Sequence, residues 1–170
     1  MTDRSHADWQ KRASTLPLPQ LAYIDGQFVP ARSGATFSAE NPATGQVLTE
    51  VAACDAADVD LAVASARRSF ESGEWRDLPP TERKSRMLAW ADAIEAQLDD
   101  IALLETLETG KPIGQTTTVD VPGLIGGLRW YAESLDKLYG ETAPDGASSV
   151  CLVDREPMGV VAAVVPWNYP

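Results

Sequence analysis

Gly159-Val160-Val161-Ala162-Ala163-Val164-Val165, followed directly by Pro166-Trp167-Asn168-Tyr169-Pro170, is the stretch that decides the fold. Its first part is apolar on both faces of any strand that it forms, a pattern typical of a parallel strand covered by helices on both sides. In open α/β sheets, ligands bind just beyond the carboxyl ends of such strands. Asn168, on a turn stiffened by two prolines, is therefore a candidate ligand-binding residue.

A parallel strand requires neighbouring strands, and the few residues after Val165 cannot supply them. The length of 170 residues suits one domain or slightly more. We therefore expect the sequence to be the front part of a larger α/β enzyme, in which residues 159–165 form the first strand of the parallel sheet.

The composition excludes several classes of function. Hydrophobic residues make up 44% of the chain and charged residues 23%, values typical of a soluble globular protein. The net charge of −11 argues against nucleic-acid binding, which requires clustered Lys and Arg. No stretch approaches the roughly 18 apolar residues of a membrane span, and the N-terminus lacks the apolar core of a signal peptide. The sequence thus predicts a cytoplasmic protein with neither a nucleic-acid nor a membrane partner.

The side chains that most often build zinc sites and nucleophilic triads are few. Cys54 and Cys151 lie far apart without ligand spacing, which argues against a disulfide framework or a zinc site. The single histidine, His6, lies in a polar segment, and its position argues against a histidine-dependent triad.

Turn signals divide the first third of the chain. Residues 1–20 are predicted to be a polar leader. Asp25-Gly26 predicts a hairpin over residues 21–29, because this dipeptide accepts the positive φ angles of a type I′ turn. Asn41-Pro42-Ala43-Thr44-Gly45 predicts a second turn, followed by a strand from Val47 to Ala52.

Four amphipathic helices are predicted between residues 55 and 140. Asp55 and Asp100 are N-cap candidates, and Gly73 and Gly110 are C-terminal stop signals. The apolar positions expected to face the core are Val59, Val63, Ala66 and Phe70 in the first helix, Met87, Trp90, Ile94 and Leu98 in the second, and Leu124, Leu128, Tyr131, Leu135 and Leu138 in the fourth.

Five segments together resemble the aldehyde dehydrogenase superfamily and occur in family order from about residue 21 to the end. They are Ile24-Asp25-Gly26-Gln27-Phe28, Asn41-Pro42-Ala43-Thr44-Gly45, Leu104-Glu105-Thr106-Leu107-Glu108-Thr109-Gly110-Lys111-Pro112, Arg129-Trp130-Tyr131-Ala132, and Arg155-Glu156-Pro157-Met158-Gly159-Val160 with the terminal Pro-Trp-Asn-Tyr-Pro turn. His6-Ala7-Asp8-Trp9-Gln10 and Asp136-Lys137-Leu138-Tyr139-Gly140-Glu141 are most similar to the bacterial γ-glutamyl-γ-aminobutyraldehyde dehydrogenases of putrescine breakdown.

The resemblance implies an α/β fold, the incomplete N-terminal portion of the aldehyde dehydrogenase fold. Residues 21–140 are then the N-terminal part of the NAD-binding domain, with the hairpin and the helices. Residues 141–158 are an oligomerisation-type segment with a strand over 149–155, and residues 159–170 begin the Rossmann-like nucleotide-binding sheet. The full-length relatives are homo-oligomers, so the resemblance also implies a second copy as partner.

By resemblance, the full-length enzyme oxidises an aldehyde substrate to the carboxylic acid with NAD or NADP, through a cysteine thiohemiacetal. Asn168 matches the asparagine of the oxyanion hole, whose NH₂ donates to the oxygen that becomes negative. The catalytic cysteine and the general-base glutamate are implied to lie downstream, so neither Cys54 nor Cys151 is assigned that role. An ω-amino aldehyde such as γ-glutamyl-γ-aminobutyraldehyde is the favoured substrate, and Gly123 would leave room for its chain.

The resemblance also indicates further site residues. They are Val165, Pro166 and Trp167 for the cofactor, Tyr169 and Asp120 for the substrate, and Glu40 and Glu108 for a structural monovalent cation. Each has an ordinary alternative: turn capping for Asn168, core packing for Trp167 and Tyr169, and a solvated carboxylate for the acids.

Two other interpretations fit the same residues. The first is a naturally truncated, non-catalytic chain that binds a full-length partner or has no function. The second is a free-standing helical domain with a fortuitous motif, which requires the terminal strand to be dispensable. Since the family nucleophile and base are expected elsewhere, the 170-residue chain alone is predicted to be inactive.

Overall fold

The computed structural model describes residues 4–169, in which helices and three two-stranded antiparallel ribbons follow one another along the chain. The strands are β1 (Ala22–Ile24), β2 (Gln27–Val29), β3 (Thr36–Asn41), β4 (Gln46–Ala52), β5 (Glu141–Ala143) and β6 (Cys151–Val153). The helices are α1 (His6–Ala13), α2 (Ala56–Ser72), α3 (Pro80–Ala96), α4 (Leu98–Thr109), α5 (Ile113–Gln115) and α6 (Val121–Ser134). A π-helical turn (Thr116–Asp120) leads into α6, and a 3₁₀ turn (Leu135–Lys137) follows it.

The first two ribbons form where the turn chemistry predicted them. Asp25 and Gly26 have φ angles of 55° and 77°, the type I′ signature, and they join β1 to β2. In the second turn, the side chain of Asn41 accepts a hydrogen bond from the backbone N–H of Ala43 at 2.9 Å. The structure adds β3, which was not predicted and pairs with β4.

Helix α2 has the predicted ends, but a different face from the predicted one is buried. Asp55 forms a capping box with Asp58, and Gly73 ends the helix in the left-handed conformation. Val59 and Val63 of the predicted apolar face are exposed, so that prediction is wrong for this chain. Asp58 is buried instead, because the loop at Arg32 packs over the start of the helix and donates a backbone hydrogen bond to it.

The core lies where α3, α4 and α6 meet, and it is built on small side chains. Ala91, Ala102, Val121 and Ile125 form the buried cluster, which lets the helix backbones approach closely. In the predicted faces, Trp90, Leu124, Tyr131 and Leu138 are exposed, so those assignments are wrong. The buried face of α6 is instead carried by Val121, Ile125 and Ala132, which follow the same helical period from a different starting position.

Helix α4 differs from the prediction at its N-terminus, and α6 follows directly on a π turn. Helix α4 begins at Leu98, so Asp100 lies in its first turn and is not its N-cap. Pro122 lies in the first turn of α6, a position that tolerates proline, and this turn follows directly on the π turn. The backbone N–H of Val121 donates to the carbonyl of Thr116, the i to i+5 bond of a π turn.

The predicted polar leader contains a helix, which corrects that assignment for the described residues 4–20. Ser5 caps α1 and forms a capping box with Asp8. Helix α1 has no buried residue. It is attached to α4 by an ion pair between Arg4 and Asp99 and by another from Arg12 Nε to Asp100 Oδ1 at 2.6 Å.

The C-terminal part carries one short ribbon and an irregular segment. The strand predicted over residues 149–155 is present as β6, which pairs with β5. Residues 159–165 form no strand, and Val161 and Val164 are exposed, contrary to the expected buried strand. The physical reason is that a strand is completed by ladder hydrogen bonds, and none of the strands in the described residues pairs with this segment. Within residues 4–169, no helix combines the length and the apolar character that crossing a membrane requires.

Candidate active site

A cavity of about 610 Å³ lies between α4, the π turn, the start of α6 and the terminal turn. Leu104 and Leu124 contribute apolar walls to it. Its polar lining consists of three carboxylates and an aromatic ring, from Glu105, Glu108, Asp120 and Tyr169. An apolar cavity with a few convergent polar groups is the usual form of a small-molecule site.

Lys111 lies beside this cavity and joins its polar groups. Its Nζ is 2.8 Å from Oε1 of Glu105 and 2.7 Å from Oδ2 of Asp120. The same atom lies 3.8 Å from the centre of the Tyr169 ring, within the range of a cation–π contact. Burial lowers the pKa of Lys111, but its hydrogen bonds to Asp120 and Glu105 outweigh that effect and leave the pKa raised. The side chain is therefore a fixed cation at neutral pH.

One carboxylate oxygen in the cavity is buried without a partner. The side chain of Asp120 is only 4% exposed, and its Oδ2 is occupied by Lys111. Its Oδ1 has no hydrogen-bond partner among residues 4–169. A buried charged oxygen in this condition is costly, which makes Asp120 a candidate for interaction with a cation or donor group beside it.

Glu108 is a further acidic group of the cavity, and the pKa of its carboxyl group is raised. It lies in the last turn of α4 and lines the same cavity. Burial raises the pKa of its carboxyl group above the ordinary value, because the charged form is poorly solvated there.

Two local features hold the lysine and the aspartate together. Gly110 ends α4 with a φ of 77° and turns the chain back so that Lys111 follows directly. The fully buried Thr116 donates to the carbonyl of Ile113 at 3.1 Å, and its Oγ1 lies 3.0 Å from Oγ1 of Thr106. These bonds anchor the π turn on α4, and Asp120 is the last residue of that turn.

The terminal turn exposes most of its side chains, while Tyr169 lines the cavity. The backbone N–H of Tyr169 donates to the carbonyl of Pro166 at 3.3 Å and closes the turn. Val165 and Trp167 are 62% and 82% exposed, and Asn168 is also exposed. The cofactor role of Val165, Pro166 and Trp167 and the catalytic role of Asn168 stay predictions.

The structure brings some of the predicted site residues together and leaves others apart. Asp120, Tyr169 and Glu108 line one cavity, and Asn168 directly precedes Tyr169. Glu40 lies in β3, exposed, and is not among the cavity residues. In the described part of the chain, no three His, Cys, Asp or Glu side chains group as metal ligands. The cation site at Glu40 and Glu108 stays a prediction.

Sequence reasoning did not single out Lys111 and Glu105 individually. Both lie in the Glu-Thr-Leu-Glu-Thr-Gly-Lys-Pro segment that carries the family resemblance. The sequence offered one indication of their pairing. Lys111 directly follows Gly110, the residue that ends α4, so its side chain can turn back toward Glu105 on that helix. Its pairing with Asp120 and Tyr169 requires the three-dimensional structure.

Comparison with known proteins decides the family. The sequence model of the aldehyde dehydrogenase family matches residues 28–170. The chain belongs to this family. The predicted fold class, the N-terminal portion of an α/β aldehyde dehydrogenase, is thereby confirmed.

Two curated aldehyde dehydrogenases illustrate the similarity. The chain is 51% identical over 166 residues to aminoacetaldehyde dehydrogenase of Pseudomonas aeruginosa, covering 98% of this chain and 34% of that protein. It is 41% identical over 164 residues to the NADP/NAD-dependent aldehyde dehydrogenase PuuC of Escherichia coli, covering 96% of this chain and 33% of that protein. The chain thus spans about a third of the length of these relatives.

A solved aldehyde dehydrogenase structure matches the fold closely. The crystal structure of γ-glutamyl-γ-aminobutyraldehyde dehydrogenase from Burkholderia cenocepacia superposes with a TM-score of 0.93 at 52% sequence identity. The match covers 96% of this chain and 33% of that structure. Both nicotinamide cofactors predicted from the sequence are named for the Escherichia coli relative.

Proposed function

We propose that this chain supplies the N-terminal part of an NAD(P)-dependent aldehyde dehydrogenase whose substrate is an ω-amino aldehyde. The observation that carries the proposal is the acidic lining of one cavity, which contains the carboxylates of Glu105, Glu108 and Asp120. Relatives named for aminoacetaldehyde and for γ-glutamyl-γ-aminobutyraldehyde support the same substrate class.

The charges of the cavity favour a cationic or hydrogen-bond-donating substrate. Glu105 and Asp120 share the single ammonium of Lys111, and Glu108 lies beside them, so the carboxylates outnumber the cation. A negative, partly desolvated cavity attracts an amine and repels an acid. The ammonium of the substrate would be attracted by the carboxylates of Asp120 and Glu108, and the exposed face of the Tyr169 ring would cover its chain.

Asn168 is the proposed catalytic residue of this segment. Its side-chain NH₂ would donate to the aldehyde oxygen as that oxygen becomes negative during nucleophilic attack. A donor of this kind is worth about 3 kcal/mol in the transition state. Val165, Pro166 and Trp167 would contact the bound NAD(P), which accepts the hydride from the substrate.

A homo-oligomeric state is part of the proposal. The ribbon of β5 and β6 exposes Leu152 and the preceding Val150. An exposed ribbon with apolar side chains supports pairing with a second copy in the full-length protein.

The substrate proposal is tested on the full-length protein that contains this sequence. The ratio of kcat/KM for a short ω-amino aldehyde to that for butyraldehyde is measured for the wild type, Asp120→Asn and Asp60→Asn. Loss of a charged hydrogen bond is expected to lower this ratio about 10-fold or more in Asp120→Asn. Asp60 is exposed on α2 and serves as the matched control. An unchanged ratio in Asp120→Asn would reject the recognition role.

The predicted inactivity of the 170-residue polypeptide is tested on that polypeptide itself. We propose that this polypeptide alone produces no NADH from aldehydes, because Cys54 and Cys151 lie before α2 and in β6 and are not cavity residues. NADH absorbance after stringent removal of host dehydrogenases provides the measurement. Turnover that survives purification would contradict this part of the proposal.

A further inference from the structure

The ammonium of Lys111 is fixed in place without any help from Tyr169. Carboxylate oxygens of Glu105 and Asp120 lie 2.8 and 2.7 Å from it, and all three side chains are mostly buried. Glu105 lies in α4 and Asp120 in the π turn, so the cation bridges two separate segments of the helical body. The ammonium is therefore held in a fixed position, from which it can orient a neighbouring side chain.

Tyr169 is the group that contacts this charge. The centre of its ring lies 3.8 Å from Nζ, although 56% of the residue is exposed. The neighbouring Trp167 and Val165 are more exposed still, so packing does little to orient the terminal turn. The contact with Lys111 joins that turn to the helical body.

We infer that Lys111 is a positioning residue, which sets the orientation of the Tyr169 ring and with it the adjacent Asn168. Lys111 does not touch the reacting atoms in this assignment. Its effect on catalysis rests on the proposed function, whereas its effect on the turn does not. Misplacement of a catalytic group by about 1 Å costs roughly 10²-fold in rate.

A positioning role for Lys111 predicts different effects of its replacement on kcat and on KM. Lys111→Met removes the cation but leaves Glu105, Glu108 and Asp120 in the cavity, so its attraction for an amine does not fall. We therefore expect a drop in kcat of roughly 10²-fold that exceeds any rise in KM from the displaced Tyr169 ring. A merely structural defect would instead lower the amount of folded enzyme and leave the kcat of the folded fraction unchanged.

The structural part is tested by NMR with ¹³C-labelled lysine on the full-length protein that contains this sequence. A cation above an aromatic face experiences the ring current, so the ε-methylene signal of Lys111 is expected upfield of those of Lys11, Lys84 and Lys137. Lys111→Arg assigns the signal. The upfield displacement is expected to persist in Tyr169→Phe and to vanish in Tyr169→Leu. A Lys111 signal that is the same in the wild type and in Tyr169→Leu would overturn the inference.

The catalytic part is tested on the full-length protein with three lysine variants. Lys111→Met should lose kcat, and Lys111→Arg should recover most of it, because a guanidinium keeps the charge and stacks on an aromatic ring. Lys84→Met, which removes a surface ion pair with Glu133, is the matched control. Wild-type kcat in Lys111→Met would overturn the positioning role. A wild-type enzyme without aldehyde-dependent NAD(P) reduction would reject only the proposed function, because the NMR result stands independently.

Discussion

The carboxylate of Asp58 accepts a hydrogen bond from the backbone N–H of Arg32 at 2.9 Å and another from that of Asp55 at 3.0 Å. Asp58 lies in the first turn of α2 and is only 2% exposed. One buried side chain thus caps the helix and attaches to it the loop that follows the first hairpin. The position of α2 against the N-terminal ribbons depends on this pair of bonds.

Asp58→Ala is expected to lower the melting temperature more than Asp55→Ala. Replacement of the N-cap Asp55 removes its side-chain capping of the first turn of α2, including the hydrogen bond from the backbone N–H of Ala57, and should cost about 1 kcal/mol. Replacement of Asp58 leaves two backbone N–H groups without their acceptor, one of them on another segment. Thermal denaturation followed by circular dichroism gives the comparison, and equal melting temperatures for the two variants would contradict the role of Asp58 as a link between segments.

The same bonds make the stability sensitive to acid. The N–H groups of Asp55 and Arg32 hold the pKa of Asp58 below its ordinary value of 3.8. A lowered folded-state pKa contributes stability above pH 3.8, and this contribution is lost as the pH falls through the lower folded-state value. Asp58→Asn should therefore flatten the dependence of melting temperature on pH in this range, whereas Asp60→Asn should not. An unaltered acid dependence in Asp58→Asn would count against the assignment.

Gly110→Ala is expected to destabilise the chain, and Gly114→Ala is its matched control. Gly110 has a φ of 77°, and a Cβ there would lie 3.1 Å from Cγ of Pro42. The left-handed conformation alone costs a non-glycine residue about 1–2 kcal/mol. At Gly114, in a helical turn with open space around it, alanine should be neutral or stabilising. Denaturant unfolding of both variants measures the difference, and equal effects would contradict the expectation.

The 170-residue polypeptide is expected to self-associate through its terminal segment. Val161 and Val164 are exposed, and so is Met158 before them. Unpaired apolar backbone of this kind is a template for aggregation. We expect helical circular dichroism with weak unfolding cooperativity, and a return to monomer on truncation near Glu156. Light scattering is the measurement, and a monomeric chain with strong hydrogen-exchange protection over residues 160–165 would refute this prediction.

Local signals predicted the features that depend on a few neighbouring residues. Asp25-Gly26 determined the first hairpin, and Asp55 and Gly73 determined the ends of α2, because turns and caps are settled by short-range hydrogen bonds and φ angles. The same kind of signal was present for α1, in which Ser5 and Asp8 form a capping box. We predicted no helix there because the segment is polar in composition.

Burial was less predictable because it depends on what lies opposite each face. The period of α6 is equally compatible with a face through Leu124 and one through Ile125, and packing against Ala91 and Ala102 selects the second. The meeting of Lys111, Asp120 and Tyr169 was beyond sequence reasoning for a related reason. It depends on a π turn, which inserts one residue without leaving a periodic signal.

The attachment of α1 has a consequence for its behaviour in different solvents. The helix buries no side chain, and the ion pairs to Asp99 and Asp100 are partly open to water. Charge attraction of this kind has a range of about 10 Å at 0.1 M salt and only about 3 Å at 1 M. Ionic strength therefore acts on the docking of α1 and leaves the apolar contacts of α3, α4 and α6 largely untouched. A rise in salt concentration should therefore release α1 from α4 before it weakens the apolar core of the other helices.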